Sequence, residues 1–238
     1  TINTYTVTYN SNKPSGATSN VTGSTANSTH TYNEAKNLTA NGYSLAGWTF
    51  AGWNSKADGT GTNYTNGQSV TNLTTGTATV TLYAKWTANT NVAYKVQHWQ
   101  LKVAGTEGTH NTTNYDLKDT ENLTGTADSQ VTPALKTYTG FEAEQSATQV
   151  TILGDGSLVV NYYYKRSTYT LTLTKGTGIS AVSNGGTSTT SAKEYRYGQS
   201  VAIDSTVGTG YTWSKWTNVT GTTPTTFAAG TKSQTIVM

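Results

Sequence analysis

Three stretches of this chain share one pattern, a tyrosine opening a run in which large apolar residues alternate with small or polar ones. They are Tyr5-Thr-Val-Thr-Tyr9, Tyr94-Lys-Val-Gln-His-Trp99 and Tyr169-Thr-Leu-Thr-Leu-Thr174. Period-two alternation places Tyr5, Val7 and Tyr9 on one side of an extended strand and Thr6 and Thr8 on the other, so each run reads as a strand with one buried and one wet face. Further along each segment a glycine precedes an aromatic: Gly47-Trp-Thr-Phe-Ala-Gly-Trp53, Gly140-Phe141 and Gly210-Tyr-Thr-Trp-Ser-Lys-Trp216. Two segments then close on alternating strands, Val80-Thr-Leu-Tyr-Ala-Lys-Trp86 and Val159-Val-Asn-Tyr-Tyr-Tyr-Lys-Arg166, while the third offers only Thr235-Ile-Val-Met238. Such self-similarity is the mark of a repeat architecture.

The repeats predict three modules, residues 1–90, 91–167 and 168–238. The third lacks its closing strand; if the chain continues past Met238 it is cut short and should be the least stable. Lys165-Arg166-Ser167-Thr168 leaves almost no linker, so the modules are expected to stack end to end as a stiff rod. Turn signals fall between the strands at Asn41-Gly42, Asp58-Gly59, Asn66-Gly67, Asp155-Gly156 and Asn184-Gly185-Gly186. Helix signals are poor, and the only candidates are Asn33 to Thr39 and Val131 to Lys136, two turns each at most. The expected fold class is mainly β with at most short helices.

Composition narrows the function. Only 11% of the 238 residues are charged, against about 25% in an average domain. No apolar run is long enough to span a membrane. Disorder is disfavoured because a net charge of +3 accompanies 16 Tyr and 6 Trp. The 53 threonines suit the wet face of a strand, stiff at the β-carbon and tolerant of water. Zero cysteine removes disulfides, thiolate metal sites and thiol catalysis. Without a basic cluster beyond Lys165-Arg166, nucleic acid is excluded as a partner. The chain opens at Thr1 without an apolar leader, which reads as a processed chain or an excised fragment.

Catalytic constellations are missing. Glu142 and Glu144 could share one strand face, the nearest approach to a glycosidase pair, but they read as a solvated strand face. His30, His98 and His110 have no paired spacing and His98 reads as a half-buried packing residue, so neither metal nor cofactor is expected. Trp53, Trp86 and Trp216 recur at equivalent motif positions and read as core, with Tyr5, Val7, Leu82, Phe141, Leu171 and Trp213. Trp48, Trp99 and Tyr163 are less constrained; Tyr163 must point away from Tyr162 and Tyr164, and these three are the candidate binding aromatics.

Residues 5–86, through Gly47-Trp-Thr-Phe-Ala-Gly-Trp-Asn54, Lys56-Ala-Asp-Gly-Thr-Gly-Thr62 and Val80-Thr-Leu-Tyr-Ala-Lys-Trp86, closely resemble the Listeria-Bacteroides repeat, also called the internalin B-repeat. Residues 168–238 look like a divergent relative through Tyr197-Gly-Gln-Ser-Val201 and the Gly210 element. The middle segment resembles mucin-binding-protein-like repeats in Tyr94-Lys-Val-Gln-His-Trp99, Leu123-Thr-Gly-Thr126, Thr139-Gly-Phe141 and Gly154-Asp-Gly-Ser-Leu-Val-Val-Asn-Tyr-Tyr-Tyr-Lys165. The resemblance implies small β-grasp-like modules of exported bacterial cell-surface proteins, extracellular and without catalysis. It implies a non-enzymatic stalk or spacer whose partners are neighbouring repeats of the same chain. The alternative is an adhesin that binds a host glycoprotein, a glycan or another cell through exposed aromatics; neither reading inserts the chain into a membrane. An internal isopeptide bond of the kind found in some adhesin modules would join Lys95 to Asn161 with Glu142 assisting.

Overall fold

A computed structural model of the chain describes residues 3–217 and 232–238. They divide into two compact units, one of Thr1–Val96, Glu121–Pro133 and Ala147–Val160, the other of Gln97–Thr120, Ala134–Ser146 and Asn161–Met238. All regular structure among the described residues is β, and no helix is long and apolar enough to cross a membrane.

The first unit holds a five-stranded sheet of β1 (Thr4–Asn10), β2 (Ser28–Thr31), β3 (Trp48–Asn54), β4 (Asn63–Tyr64) and β5 (Thr79–Ala88), in the order β2-β1-β5-β3-β4. The first and last strands lie side by side and parallel, Thr6 opposite Thr79 through Asn10 opposite Tyr83; the other pairs are antiparallel. The alternation in β1 buries Tyr5, Val7 and Tyr9 against Leu38, Trp53, Val70, Leu82 and Ala84. Trp53 is completely enclosed, its ring 4.8 Å from Tyr9 and 4.9 Å from Phe50. Trp86 is only half-buried; it packs edge-on to Phe50 and donates its indole N–H to the Ser11 carbonyl at 2.8 Å.

Neither helix candidate is a helix. Within residues 33–39, Asn33 has φ +64° and Lys36–Asn37 is a short strand paired with Ser69–Val70. Within 131–136, Val131 pairs with Val150 and the chain then runs irregularly. Ribbon pairing supplies amide partners that two helical turns crossed by Asn, Thr and Pro could not. The crossover from β2 to β3, residues 32–47, contains no helix.

A second sheet is formed by β6 (Val92–Leu101), β7 (Tyr115–Gly125), β8 (Phe141–Ala143) and β9 (Val159–Arg166), in the order β7-β6-β9-β8. His98, Tyr162 and Tyr164 are buried, and the His98 Nδ1 lies 2.8 Å from the Tyr164 hydroxyl. Phe141 is half-buried beneath the Arg166 guanidinium, 4.9 Å from the ring centre.

Further along, β10 (Thr168–Leu171) pairs with β13 (Lys193–Arg196), and β11 (Ile179–Asn184), β12 (Thr187–Ser188), β14 (Ser200–Val207) and β15 (Gln234–Val237) form a sheet ordered β12-β11-β14-β15. Their core is Leu171, Leu173, Val182, Tyr195, Val201, Ile203, Ile236 and Met238. Trp213 and Trp216 are half-buried and meet edge to face at 5.2 Å, with Trp216 against that core.

Candidate functional site

Two kinds of feature stand out, an aromatic ladder and a pair of matching joints. Alternation along β6 and β9 sends His98, Tyr162 and Tyr164 inward and Trp99, Asn161 and Tyr163 outward. The Trp99 indole donates to Asn161 Oδ1 at 3.0 Å, and its ring lies nearly parallel to Tyr163 at 6.3 Å. The segment between β6 and β7 brings His110 onto Tyr163, ring centres 3.8 Å apart and planes within 7°. Tyr115 meets both rings edge-on. Tyr163 is thus an inner rung, and Trp99 and His110 are the rungs with an outer face.

Glu144 fixes the ladder from beneath. It accepts the Tyr115 hydroxyl at 2.5 Å and lies 2.9 Å from His110 Nε2. Burial, followed by the hydrogen bond to Glu144, pushes the Tyr115 phenol up to about 12; burial alone raises Tyr163. Glu142 has other partners, Lys165 Nζ at 3.9 Å and the Ser167 hydroxyl at 3.2 Å. The two glutamates therefore serve separate networks. Asn161, the acceptor suggested for an isopeptide bond, has its amide oxygen on Trp99 instead. Among the described residues no group of three or more His, Cys, Asp or Glu could hold a metal.

The joints lie at single residues between consecutive strands. Asn89, just after β5, donates its amide to the Gly47 carbonyl at 2.8 Å, and its own carbonyl accepts the Ala127 amide at 2.9 Å. Ser167, between β9 and β10, does the same: its amide reaches the Gly140 carbonyl at 2.9 Å, and its carbonyl accepts the Tyr197 amide at 2.8 Å. Gly47 and Gly140 occupy the same place in matching turns, with φ +79° and +76° and the next residue's amide bonded back to Leu45 and Tyr138. Ala127 and Tyr197 each precede a positive-φ residue, Asp128 at +57° and Gly198 at +77°.

Side chains clamp both joints. At the first, Asp128 accepts the Trp48 indole at 2.7 Å, the Thr18 hydroxyl at 2.5 Å and the Thr18 amide at 3.0 Å. Burial works to raise the Asp128 pKa, but the Thr18 and Trp48 donors outweigh it and hold the carboxyl below its ordinary value. A Cβ on Gly47 would stand 2.5 Å from Gly154 Cα, so the two backbones touch because both residues are glycine. At the second, Arg166 donates to the carbonyls of Leu101 at 2.6 Å and Tyr197 at 2.7 Å, and Arg196 to those of Val103 at 3.0 Å and Gly105 at 2.6 Å. Gly140 packs on the Tyr197 ring, which also meets Phe141 edge-on.

Of the binding candidates, Trp99 and Tyr163 fall together in the ladder, while Trp48 is committed to the first joint. Sequence reasoning passed over His110, Asp128, Asn89 and Ser167. The recurring Gly-aromatic dipeptide was the available signal for the joints, since it marks the turn that each linker residue grips.

No curated protein matches the chain. Among solved structures, "The Bacillus anthracis TIE protein" is similar at 10% identity and a TM-score of 0.31, over 89% of this chain and 46% of that one; the chain thus spans less than half that protein's length. Residues 5–85 match the family model of the Listeria-Bacteroides repeat domain, a repeat that occurs in bacterial surface proteins.

Proposed function

We propose that the chain is a non-enzymatic spacer of a bacterial cell-surface protein, extracellular, holding a neighbouring domain away from the cell wall. The observation that carries this reading is the repeated joint. A single linker residue makes the same two backbone hydrogen bonds at Asn89 and at Ser167, and a flexible string of independent domains would have no use for such fixation. The Listeria-Bacteroides match over residues 5–85 agrees with it, and the mucin-binding-like and divergent B-repeat resemblances extend it to the other modules. A spacer must keep its ends apart, so small-angle scattering should show an elongated particle with a cross-section one module wide. A compact or broadly distributed particle would overturn the reading.

A second reading, adhesion, is favoured by the Trp99–Tyr163–His110 ladder, since rings with an outer face stack on sugars and partner surfaces. Its test is binding to a glycan array and to mucin-coated plates, with Trp99→Ala and Tyr163→Ala as controls. Saturable binding lost in both variants would establish adhesion, and flat binding would dismiss it.

A further inference from the structure

Five glycines in the chain follow an asparagine or an aspartate, at Asn41-Gly42, Asp58-Gly59, Asn66-Gly67, Asp155-Gly156 and Asn184-Gly185. Such a pair can react with itself when the glycine nitrogen reaches the side-chain carbonyl carbon of the residue before it, and glycine has no side chain to stand in the way. At four of these pairs the glycine amide is already held in a hydrogen bond. Gly42 N–H donates to the Thr25 hydroxyl at 2.9 Å, and Gly59, Gly156 and Gly185 donate to the carbonyls of Lys56 at 3.1 Å, Leu153 at 2.9 Å and Ala202 at 2.9 Å. The Gly67 amide has no acceptor among the described residues.

The surroundings separate the three asparagine pairs further. A Cβ on Gly42 would run into the Ser24 carbonyl and one on Gly185 would stand 2.7 Å from the Tyr195 hydroxyl, whereas one on Gly67 would meet nothing within 4 Å. Asn184 is wholly buried, its carboxamide held between the Tyr195 hydroxyl and the Leu171 carbonyl. Asn41 engages both the amide and the carbonyl of Tyr43. Asn66 is exposed, and its Oδ1 accepts the Asn41 amide at 2.7 Å while its Nδ2 has no partner among the described residues. A donor on Oδ1 polarises the carbonyl carbon toward attack, as the donors of an oxyanion hole do. Asn66-Gly67 thus combines a free nucleophile, a polarised carbonyl, a free leaving group and open space in which the carboxamide can swing onto Gly67.

We propose that Asn66 is a site of spontaneous covalent modification, deamidation through a cyclic imide formed with Gly67. The Gly67 nitrogen bonds to Asn66 Cγ as it loses its proton, the Cγ–Nδ2 bond breaks, and ammonia leaves carrying a proton in exchange. Water then opens the ring. Attack at Cγ gives aspartate, and attack at the backbone carbonyl carbon gives isoaspartate, with the main chain rerouted through the side-chain carbons. Isoaspartate lengthens the turn from Thr65 to Gln68, which Gln68 N–H closes on the Thr65 carbonyl at 3.2 Å. The Gln68 carbonyl takes the Leu38 amide at 2.9 Å, and Leu38 and Val70 belong to the core around Trp53. Modification at Asn66 therefore loosens the ribbon of Lys36–Asn37 and Ser69–Val70 that covers this core. It does so whether the chain serves as a spacer or as an adhesin.

The test is ageing of the 238-residue chain at mildly alkaline pH, read by peptide mass spectrometry and by methyl labelling with a protein isoaspartyl methyltransferase. The peptide that holds Asn66 should gain about 1 Da. It should do so at least about tenfold faster than the peptides that hold Asn41 and Asn184, which react only when the fold opens locally. In urea the three asparagine pairs should react at similar rates, because their local sequence is the same. Asn66→Gln should remove most of the methyl label. Amide exchange at Leu38 should be faster in the aged chain than in the fresh one, and should not change when the Asn66→Gln chain is aged. Deamidation led by Asn41 or Asn184 in the folded chain would overturn the proposal, and so would methyl label that persists in Asn66→Gln. A preference for Asn66 that survives in urea would show that the fold does not set it, and Leu38 exchange unaltered by ageing would refute the loosening of the ribbon.

Discussion

Replacing Gly47 by alanine tests the first joint most directly. The new methyl would stand 2.5 Å from Gly154 Cα, 2.8 Å from its carbonyl oxygen and 2.9 Å from the Ala127 Cβ. Favourable carbon contacts begin at about 3.5 Å, and two of these three atoms are backbone that no rotamer change can move aside. The φ of +79° adds strain, since the left-handed region costs a non-glycine residue about 1–2 kcal/mol. Overpacking adds about 1–3 kcal/mol, for about 2–5 kcal/mol in all. Gly59→Ala is the matched control: its φ is +76° and nothing lies within 4 Å of the new Cβ. That variant carries the same strain and the same unfolded-state entropy change without the clash. The difference of about 1–3 kcal/mol should appear as exchange of the Asn89 and Ala127 amides about 5- to 150-fold faster in Gly47→Ala than in Gly59→Ala. Equal exchange in the two variants would show that the backbones at Gly47 and Gly154 are not in contact and that the first joint is not held by their packing.

Acid should weaken the first unit in two stages. His30 is buried and its pKa is lowered by that burial and then by Lys36, so the fold favours the neutral ring; stability present above about pH 6.5 is lost as pH falls through the lowered pKa. His30→Gln should remove this stage from a urea-midpoint profile. Asp128, with its lowered pKa, stabilises the fold above about pH 4 and loses that effect as pH falls through the folded value; Asp128→Asn should flatten this second stage. Tyr115, raised to about 12, favours the neutral phenol in the fold, so its contribution holds below pH 10 and is lost on the way to 12; absorbance titration should find it, and Glu144→Gln should lower it. Tyr195→Phe should cost about 1–3 kcal/mol in urea denaturation, because it removes the 2.5 Å hydrogen bond to Asn184 Oδ1 between two buried residues.

The sheets were legible because alternation in β1, β5 and β9 is a local property, written at period two and bounded by Asn-Gly and Asp-Gly turns. The lack of helix was nearly legible; Asn33 to Thr39 and Val131 to Lys136 were overestimated because a short strand looks like any other short run when its β partner, Ser69–Val70 or Val150–Thr151, is distant in sequence. Trp99 and Tyr163 could be placed on an outer face from pattern alone. What could not be read was His110, delivered to Tyr163 by a loop, or Asp128, whose three donors come from residues 80 to 110 positions away. The glycines of the joints were visible as a recurring dipeptide. Their use was hidden because a carbonyl that reaches a linker amide leaves no trace in side-chain chemistry.

The parallel pairing of β1 with β5 has a mechanical consequence. Chain enters β1 at Thr4 and leaves β5 at Ala88, and because the strands run the same way these points lie at opposite ends of the ladder. Tension along the polypeptide then slides one strand past the other, loading the bonds from Thr6–Thr79 to Asn10–Tyr83 together in shear. An antiparallel pair pulled at adjacent ends would instead unzip bond by bond. Under such tension this sheet is held by the collective rupture of a ladder, so its lifetime under force is set by an unfolding rate and not by its equilibrium stability.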